Sequence, residues 1–534
     1  MKGIIIVLVL TASLSLFAQD QQSQKKQDSS VELPEFVITG KDIVTLRKAN
    51  KIPPDFVSTL SEEFIKPAFP TESLPVKDFS TPVKGTITTL DSLNFVRGSL
   101  NLGMGSYYLP DAELNYSAPF QTGMFQAYGN AYNRRAYISN TEKYHVNGGA
   151  SLLLSVNDDA PFLPGTQIKF NGGLGTTSYR LYGSENPTFK RTYNVGSGYV
   201  KLDNLISKYF LFSSKFSDEF YYLSNENFSE NMFNINGFAR LTLPNFNLGV
   251  DADFKRQALT NDSTSKSFTG FLALRPTVGF SVNKLMKVSL GFNYDNSVDQ
   301  NFFSPYAAIA LNLDKGISIY GDYSPRAEFY GGGYFLNQNP YFLAQRFSNI
   351  FMKKNTAFGT TVKFEYYTYF EIDAGFKYYG SDNLPYFTDK DSTGLFNLAE
   401  TKATHFTGFI NLLFHPGPGG VFYGTAELCD TRDTANNFVP YYPSVKVTLN
   451  YNYNFNIGLD AGASLTYLSG IYTDIQNTNK LSPYMNLGVK LGYRLHPNFY
   501  LTVKMSNILN RNNYLWNNYK EMPLDILVGL NYRW

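Results

Sequence analysis

The sequence predicts an all-β protein: a transmembrane antiparallel β-barrel of about 22 strands with short periplasmic turns and long extracellular loops. Three observations lead there. The composition is aromatic-rich and charge-poor without long apolar spans. Apolar residues recur with a period of two. Tight turns exchange regularly with long polar stretches.

The chain of 534 residues carries 40 Tyr and 45 Phe but 2 Trp, and charged residues make up 17%. Typical soluble domains carry roughly 25%. No segment after the N-terminal leader approaches the ~18 apolar residues of a membrane helix, so the crossing falls to strands that are apolar on one face only. A formal net charge of +2 gives no clustered basic excess, and no nucleic-acid partner is expected. Cys429 is the single cysteine, which excludes an intrachain disulfide and a CxxC centre.

The N-terminus reads as an export signal, residues 1–18: Lys2 is the positive region, Gly3 to Phe17 the apolar run, and Ala18 the last residue before cleavage. Residues 19–92 form a periplasmic segment whose start, 19–31, is polar and of low complexity. The barrel is expected over 93–534.

Period two is clearest at the C-terminus. Leu524, Ile526, Val528, Leu530, Tyr532 and Trp534 share one side, and Asp525, Gly529, Asn531 and Arg533 the other. A strand sends successive side chains to opposite faces, one toward lipid and one toward a wet lumen. The pattern recurs in Met485–Leu495, Ile457–Tyr467, Phe370–Tyr378 and Phe246–Phe254. Tyr often ends the apolar series, where an aromatic girdle belongs. Tight connections fall at Pro244-Asn245, Leu313–Gly316, His415–Gly420, Asn454–Asn456 and His496–Asn498, and long polar stretches at 181–191, 222–231, 256–266, 380–403 and 430–440. Counting by that rule gives about 22 strands between Asn94 and Trp534, an even number that returns the chain to the periplasm.

Ser506-Asn507-Ile508-Leu509-Asn510-Arg511-Asn512-Asn513-Tyr514 resembles the penultimate strand of TonB-dependent receptors and the motif it runs into. Gly529 to Trp534 is similar to their closing strand, and Arg97 to Tyr107 to their first. Leu33-Pro34-Glu35-Phe36-Val37-Ile38-Thr39-Gly40 resembles the extended segment that pairs with an inner-membrane energy-coupling protein. The resemblance therefore implies a coupling segment at Val37, Ile38, Thr39 and Gly40. It implies outer-membrane lipid around the barrel and a terminal aromatic, Trp534, that the barrel-insertion machinery reads as an assembly signal. The chain departs from the family between 41 and 92, which is proline-rich, lacks the plug's arginine-glycine motif and is far shorter than the family's plug domain. A complete plug is not expected.

A barrel this wide is not filled by its own wall. Three arrangements stay open: residues 41–92 enter the lumen, the loop 325–355 folds down, or the channel is open. The loop carries Arg326, Tyr330, Tyr334 and Tyr341 around Gly331-Gly332-Gly333, residues able to stack on and hydrogen-bond a sugar or peptide. The competing expectation, favoured here, is a self-packed surface loop with its own small aromatic core. Predicted inward charges are mixed in sign (Glu371, Asp373, Lys377, Lys446, Asp460, Lys490, Arg494, Lys504, Asp525), which suits a wall stiffened by ion pairs better than a selective ring.

The four histidines, His145, His405, His415 and His496, form no sequence constellation with Ser or Asp, and no HExxH, GxSxG or phosphate-loop run is present. The expectation is a non-enzymatic outer-membrane transport or channel protein without cofactor or metal. It would pass or capture small hydrophilic solutes by diffusion through the lumen, with the loops setting selectivity. The alternative is a structural barrel that tethers a periplasmic or surface protein.

Overall fold

Alternation of apolar and polar residues closes into a cylinder. The computed structural model describes residues 97–534, apart from the turn positions 158, 161–162, 206, 208, 244–245, 262–263, 298–299, 314–315, 368, 390–391 and 416–419. The expected leader, the 19–92 segment and its Val37–Gly40 stretch lie outside the described residues.

Twenty-two antiparallel staves run from Gly98–Gly105 to Asp525–Arg533, counting Arg326–Tyr330 as the continuation of Ile317–Tyr323. First and last staves pair from Ser99↔Arg533 to Gly105↔Leu527, which closes the ring and leaves no open sheet edge. Among the described residues no helix is long and apolar enough to cross a membrane; the strands do so.

The period-two expectation holds. In the last stave Val528 is 42% exposed on the outer face, whereas Asp525 is 4% exposed on the inner one. Phe246, Leu248 and Val250 face out, and Asp251, which follows them, is buried. The outer face is a lipid-facing apolar band, and the protein is an outer-membrane barrel.

The predicted tight turns all fall between staves. Several predicted loops are shorter than expected, because the wall continues through them. The stretch 222–231 shrinks to the connection between Phe210–Leu223 and Phe228–Thr242, and 256–266 to that between Phe246–Asn261 and Thr264–Ser281. Staves of up to 19 residues (Phe370–Thr388) stand beside ones of 8 (Phe499–Ser506). Since about 9–11 residues span a bilayer, the long staves rise well above it on one side of the rim.

Candidate functional site: a lumen cavity under bridged loops

The stave Ile317–Tyr323 is paired on both sides, from Ala307↔Tyr323 to Leu313↔Ile317 and from Ile317↔Phe364 to Tyr323↔Phe358. Beyond Ser324-Pro325 the strand Arg326–Tyr330 keeps only its partner Ile350–Lys354 and peels inward. Proline cannot donate to a ladder, and here the wall reaches in instead. Asn293 Nδ2 (2.6 Å) and Ser304 Oγ (2.5 Å) donate to the Pro325 carbonyl. The Ala327 amide donates to Asp295 Oδ2 at 2.6 Å. Side chains thus satisfy a strand edge that has left its sheet. Phe329 stacks on Phe271 of the wall with centroids 5.8 Å apart.

The chain then forms a short helix, Gly332–Gln338. Glu230, 1% exposed, accepts the amides of Gly332 and Gly333, and Gln257 donates to the same carboxylate. The glycines are there because the helix lies hard against the wall. A methyl on Gly331 would overlap Glu230, one on Gly332 the ring of Phe228, and one on Gly333 the ring of Tyr221.

Further along, the loop enters a core shared by several loops and the wall: Phe335, Phe342, Phe347, Phe387, Phe396 and Tyr519. This corrects the expectation of a self-packed loop. Its aromatics lack enough neighbours of their own and bury against Leu223, Phe228 and Leu259 of the wall. The Leu343 amide donates to Phe396 O (2.8 Å), and the Phe396 amide to Tyr341 O (3.1 Å).

The loops also bridge the mouth. The hairpin after Gln167–Arg180 joins staves five and six, and the one after Phe370–Thr388 joins staves fifteen and sixteen, ten staves away in a ring of 22. Yet the Glu185 amide donates to Thr393 O at 3.0 Å. A methyl on Gly394 (φ +75°) would overlap the Gly183 carbonyl. The final loop sits between them, with Tyr519 OH donating to Gly394 O at 2.7 Å. These bonds join loops from opposite sides of the ring.

Below the bridge, a cavity of about 540 Å³ lies between the inward strand and the inner wall. Its rim includes Glu219, Asp251, Asp253, Lys255, Arg275 and Asp295 from the wall. Three of the four sequence-predicted contacts, Arg326, Tyr330 and Tyr334, line it; Tyr341 does not. Arg326 Nε pairs with Glu328 at 3.1 Å, and Tyr330 donates to the same carboxylate. Tyr334 is 44% exposed, its ring 4.6 Å from that of Tyr330. Tyr341 instead stacks on Tyr519, centroids 3.4 Å apart. Burial pushes its phenol well above the usual value and keeps it neutral. Asn234 Oδ1 and Asp253 Oδ1, on cavity-lining residues, are buried and have no hydrogen-bond partner.

Several lumen charges are ion-paired: Asp251 with Arg275 (3.1 Å), Glu427 with Lys446 (3.2 Å) and Glu371 with Lys363 (3.0 Å). His405 bonds Thr431 Oγ1 (2.6 Å) and Thr407 Oγ1 (2.8 Å), and His145 bonds Thr177 Oγ1 (2.8 Å). At Nδ1 of both rings a threonine hydroxyl stands where a Ser-His-Asp triad holds its carboxylate. Among the described residues no group of three His, Cys, Asp or Glu is placed to hold a metal.

No protein-family model matches the chain, and no curated protein matches it in sequence. Solved structures do. The ferric-catecholate import receptor Fiu from K12 E. coli superposes with a TM-score of 0.61 at 11% identity, over 83% of this chain and 82% of that one. The siderophore receptor PiuA from Acinetobacter baumannii gives 0.60 at 12%, over 82% and 81%. The copper transporter OprC gives 0.58 at 11%, over 82% and 80%. The fold is that of the TonB-dependent receptor barrel. The 22-stave cylinder, the lipid-facing belt and the outer-membrane location all follow from that fold.

Proposed function

We propose that this TonB-dependent-receptor-like barrel is an outer-membrane uptake receptor. It captures a small hydrophilic solute in the lumen cavity and releases it toward the periplasm when the loop 324–349 shifts. The cavity carries the reading: about 540 Å³ falls within the ~300–1,000 Å³ of small-molecule sites, and it lies in the lumen of a barrel whose mouth is bridged. Arg326, Tyr330 and Tyr334 are the ligand contacts in this reading. Tyr341 serves the bridge. Siderophore and copper receptors of the same fold point to solute uptake as the use of such a barrel.

The energetic side of the proposal rests on the sequence. Val37, Ile38, Thr39 and Gly40 would pair with an inner-membrane coupling protein by adding a strand. Residues 41–92 are too few for a full plug, so the inward loop takes over part of the obstruction. The barrel-insertion machinery would read Trp534 during assembly.

Conductance of the full chain in planar bilayers tests this, beside Arg191→Ala, which loosens the bridge. Low steady conductance in the native chain and a rise in the variant are expected. A large steady conductance in the native chain would make it an open porin. Silence in both, with a stoichiometric co-purifying protein, would favour the tethering barrel.

A further inference from the structure

The inner wall holds three lysines in direct register, Lys169↔Lys201 and Lys201↔Lys215 on adjacent staves. Their chain neighbours Phe170 and Phe216 are exposed on the outer face, so by alternation the lysines face the lumen. Like charges directly opposite destabilise a sheet, and the wall also pairs charges of opposite sign. Asp251↔Arg275, Lys363↔Asp373 and Glu427↔Lys446 are all of opposite sign. Where Glu365 and Glu371 do face each other, Lys363 sits between and binds both, at 2.5 and 3.0 Å. Cations also face each other at Arg134↔Lys143, Arg180↔Lys190, Arg326↔Lys354 and Lys490↔Lys504, but none of these pairs extends to a row of three.

We propose that Lys169, Lys201 and Lys215 form an anion-binding row, which takes a small solute bearing two or more carboxylate or phosphate groups. The row is not neutralised from within. Among the described residues one carboxylate is ion-paired to it, Asp203 to Lys201 at 2.7 Å, and that carboxylate also accepts from Ser213 Oγ at 2.6 Å. Lys169 Nζ and Lys215 Nζ lie 5.9 and 4.7 Å from the centroid of the same ring, Tyr199, which attracts cations through its face. Two of the heads thus lie at Tyr199, and the third, Lys201, reaches Asp203 on the same stave.

Strands lie about 4.8 Å apart, so the outer lysines stand roughly 10 Å apart. That spacing matches a ligand with several anionic groups better than a single small ion. The row also adjoins the cavity. Lys215 pairs with Asn236, and Asn236 with Asp253 of the cavity lining. The inference deepens the uptake reading and rests on it for the direction of use: a solute leaving the cavity meets the row next.

The test is isothermal titration of the detergent-solubilised full chain with tripolyphosphate, with spermidine as the cationic control. Saturable binding of tripolyphosphate and none of spermidine are expected. K169Q/K201Q/K215Q should weaken binding at least tenfold, the triple Arg variant should retain it, and each single Gln variant should show a smaller loss. Heat-modifiable gel migration reports whether each variant is folded, and removing opposed like charges should leave it so. Equal affinity in the folded triple Gln variant, or equal binding of spermidine, overturns the proposal. So does a zero-length carboxyl–amine crosslink joining one of these lysines to an acid of residues 32–92, which would make the chain itself the occupant. Because binding is read without transport, intact binding with failed uptake would count against the receptor reading and not against the row.

Discussion

Arg191 and Glu226, 1% and 2% exposed in their side chains, form a two-point ion pair under the bridging loops. The other guanidinium nitrogen of Arg191 donates to Pro340 O (2.7 Å) and Phe342 O (2.9 Å). One side chain thus joins the sixth stave, the hairpin after the seventh, and the inward loop. Removing one partner of a buried pair costs about 3–5 kcal/mol, because the other charge is stranded. Arg191→Ala should therefore speed amide exchange across 335–347 while the membrane-level staves stay protected. Lys does not reproduce a planar two-point donor, so Arg191→Lys should restore little. Unchanged exchange in Arg191→Ala would remove this pair from the account of the bridge.

Gly333 marks where the helix meets the wall. Its added methyl would overlap the ring of Tyr221, itself 7% exposed and stacked on Tyr193. Overpacking of this kind costs about 1–3 kcal/mol. Gly333→Ala should lower the thermal midpoint and enlarge the conductance, and pairing it with Tyr221→Ala should recover part of both. A Gly333→Ala protein with native stability would mean that the helix lifts without cost.

The final loop gives the bridge a pH dependence. Burial raises the Glu521 carboxyl above its ordinary value, against the pull of Arg134 and Lys143. A raised folded pKa means that the docked loop holds its proton more tightly than the released one. Docking is then strongest below the usual carboxylate value and weakens as pH rises through the folded pKa. Protection of the loop amides over 507–524, corrected for the base catalysis of exchange itself, should fall across that window and level off above it. Glu521→Gln should flatten the corrected profile at the high, low-pH protection; a profile unchanged by that substitution would refute the assignment.

The fold was legible because lipid and water impose period two on each membrane-level stave: Ile526, Val528 and Leu530 against Asp525 show it without any partner. The pattern faded above the bilayer, where both faces meet water. Arg256 on the outside and Gln257 on the inside are then both polar, and the stretch reads as a loop although Phe246–Asn261 is continuous strand. The terminal asparagine motif was legible for a local reason. Asn507 and Asn510 adopt positive φ (47° and 50°), and Asn507 Nδ2 donates to Arg511 O and Met522 O, so the motif orders the last loop. The site was half legible. Arg326, Tyr330 and Tyr334 sit in a recognisable loop, but Glu230, Asp295 and Arg191 look like any inward polar residues of a stave. What they bind is set by a distant segment, at a separation of 102 for Glu230 and Gly332, 149 for Arg191 and Pro340, and 32 for Asp295 and Ala327.

Trp534 belongs to the seam that closes the barrel. Its amide donates to Gly98 O and its carbonyl accepts from the Gly98 amide, both at 3.1 Å. Its indole lies over Gly98 so closely that a methyl there would overlap the ring. The terminal aromatic therefore has a structural use apart from any assembly signal, and the two roles separate by experiment. Gly98→Ala perturbs the seam and leaves the terminal residue intact; Trp534→Phe keeps an aromatic and shrinks the contact. If closure is limiting, both variants should fold more slowly into lipid vesicles without other proteins, read as delayed appearance of the compact, heat-modifiable band. If recognition is limiting, Trp534→Ala should fail in cells while Gly98→Ala assembles normally. Normal assembly of Trp534→Ala in both settings would remove the residue from either role.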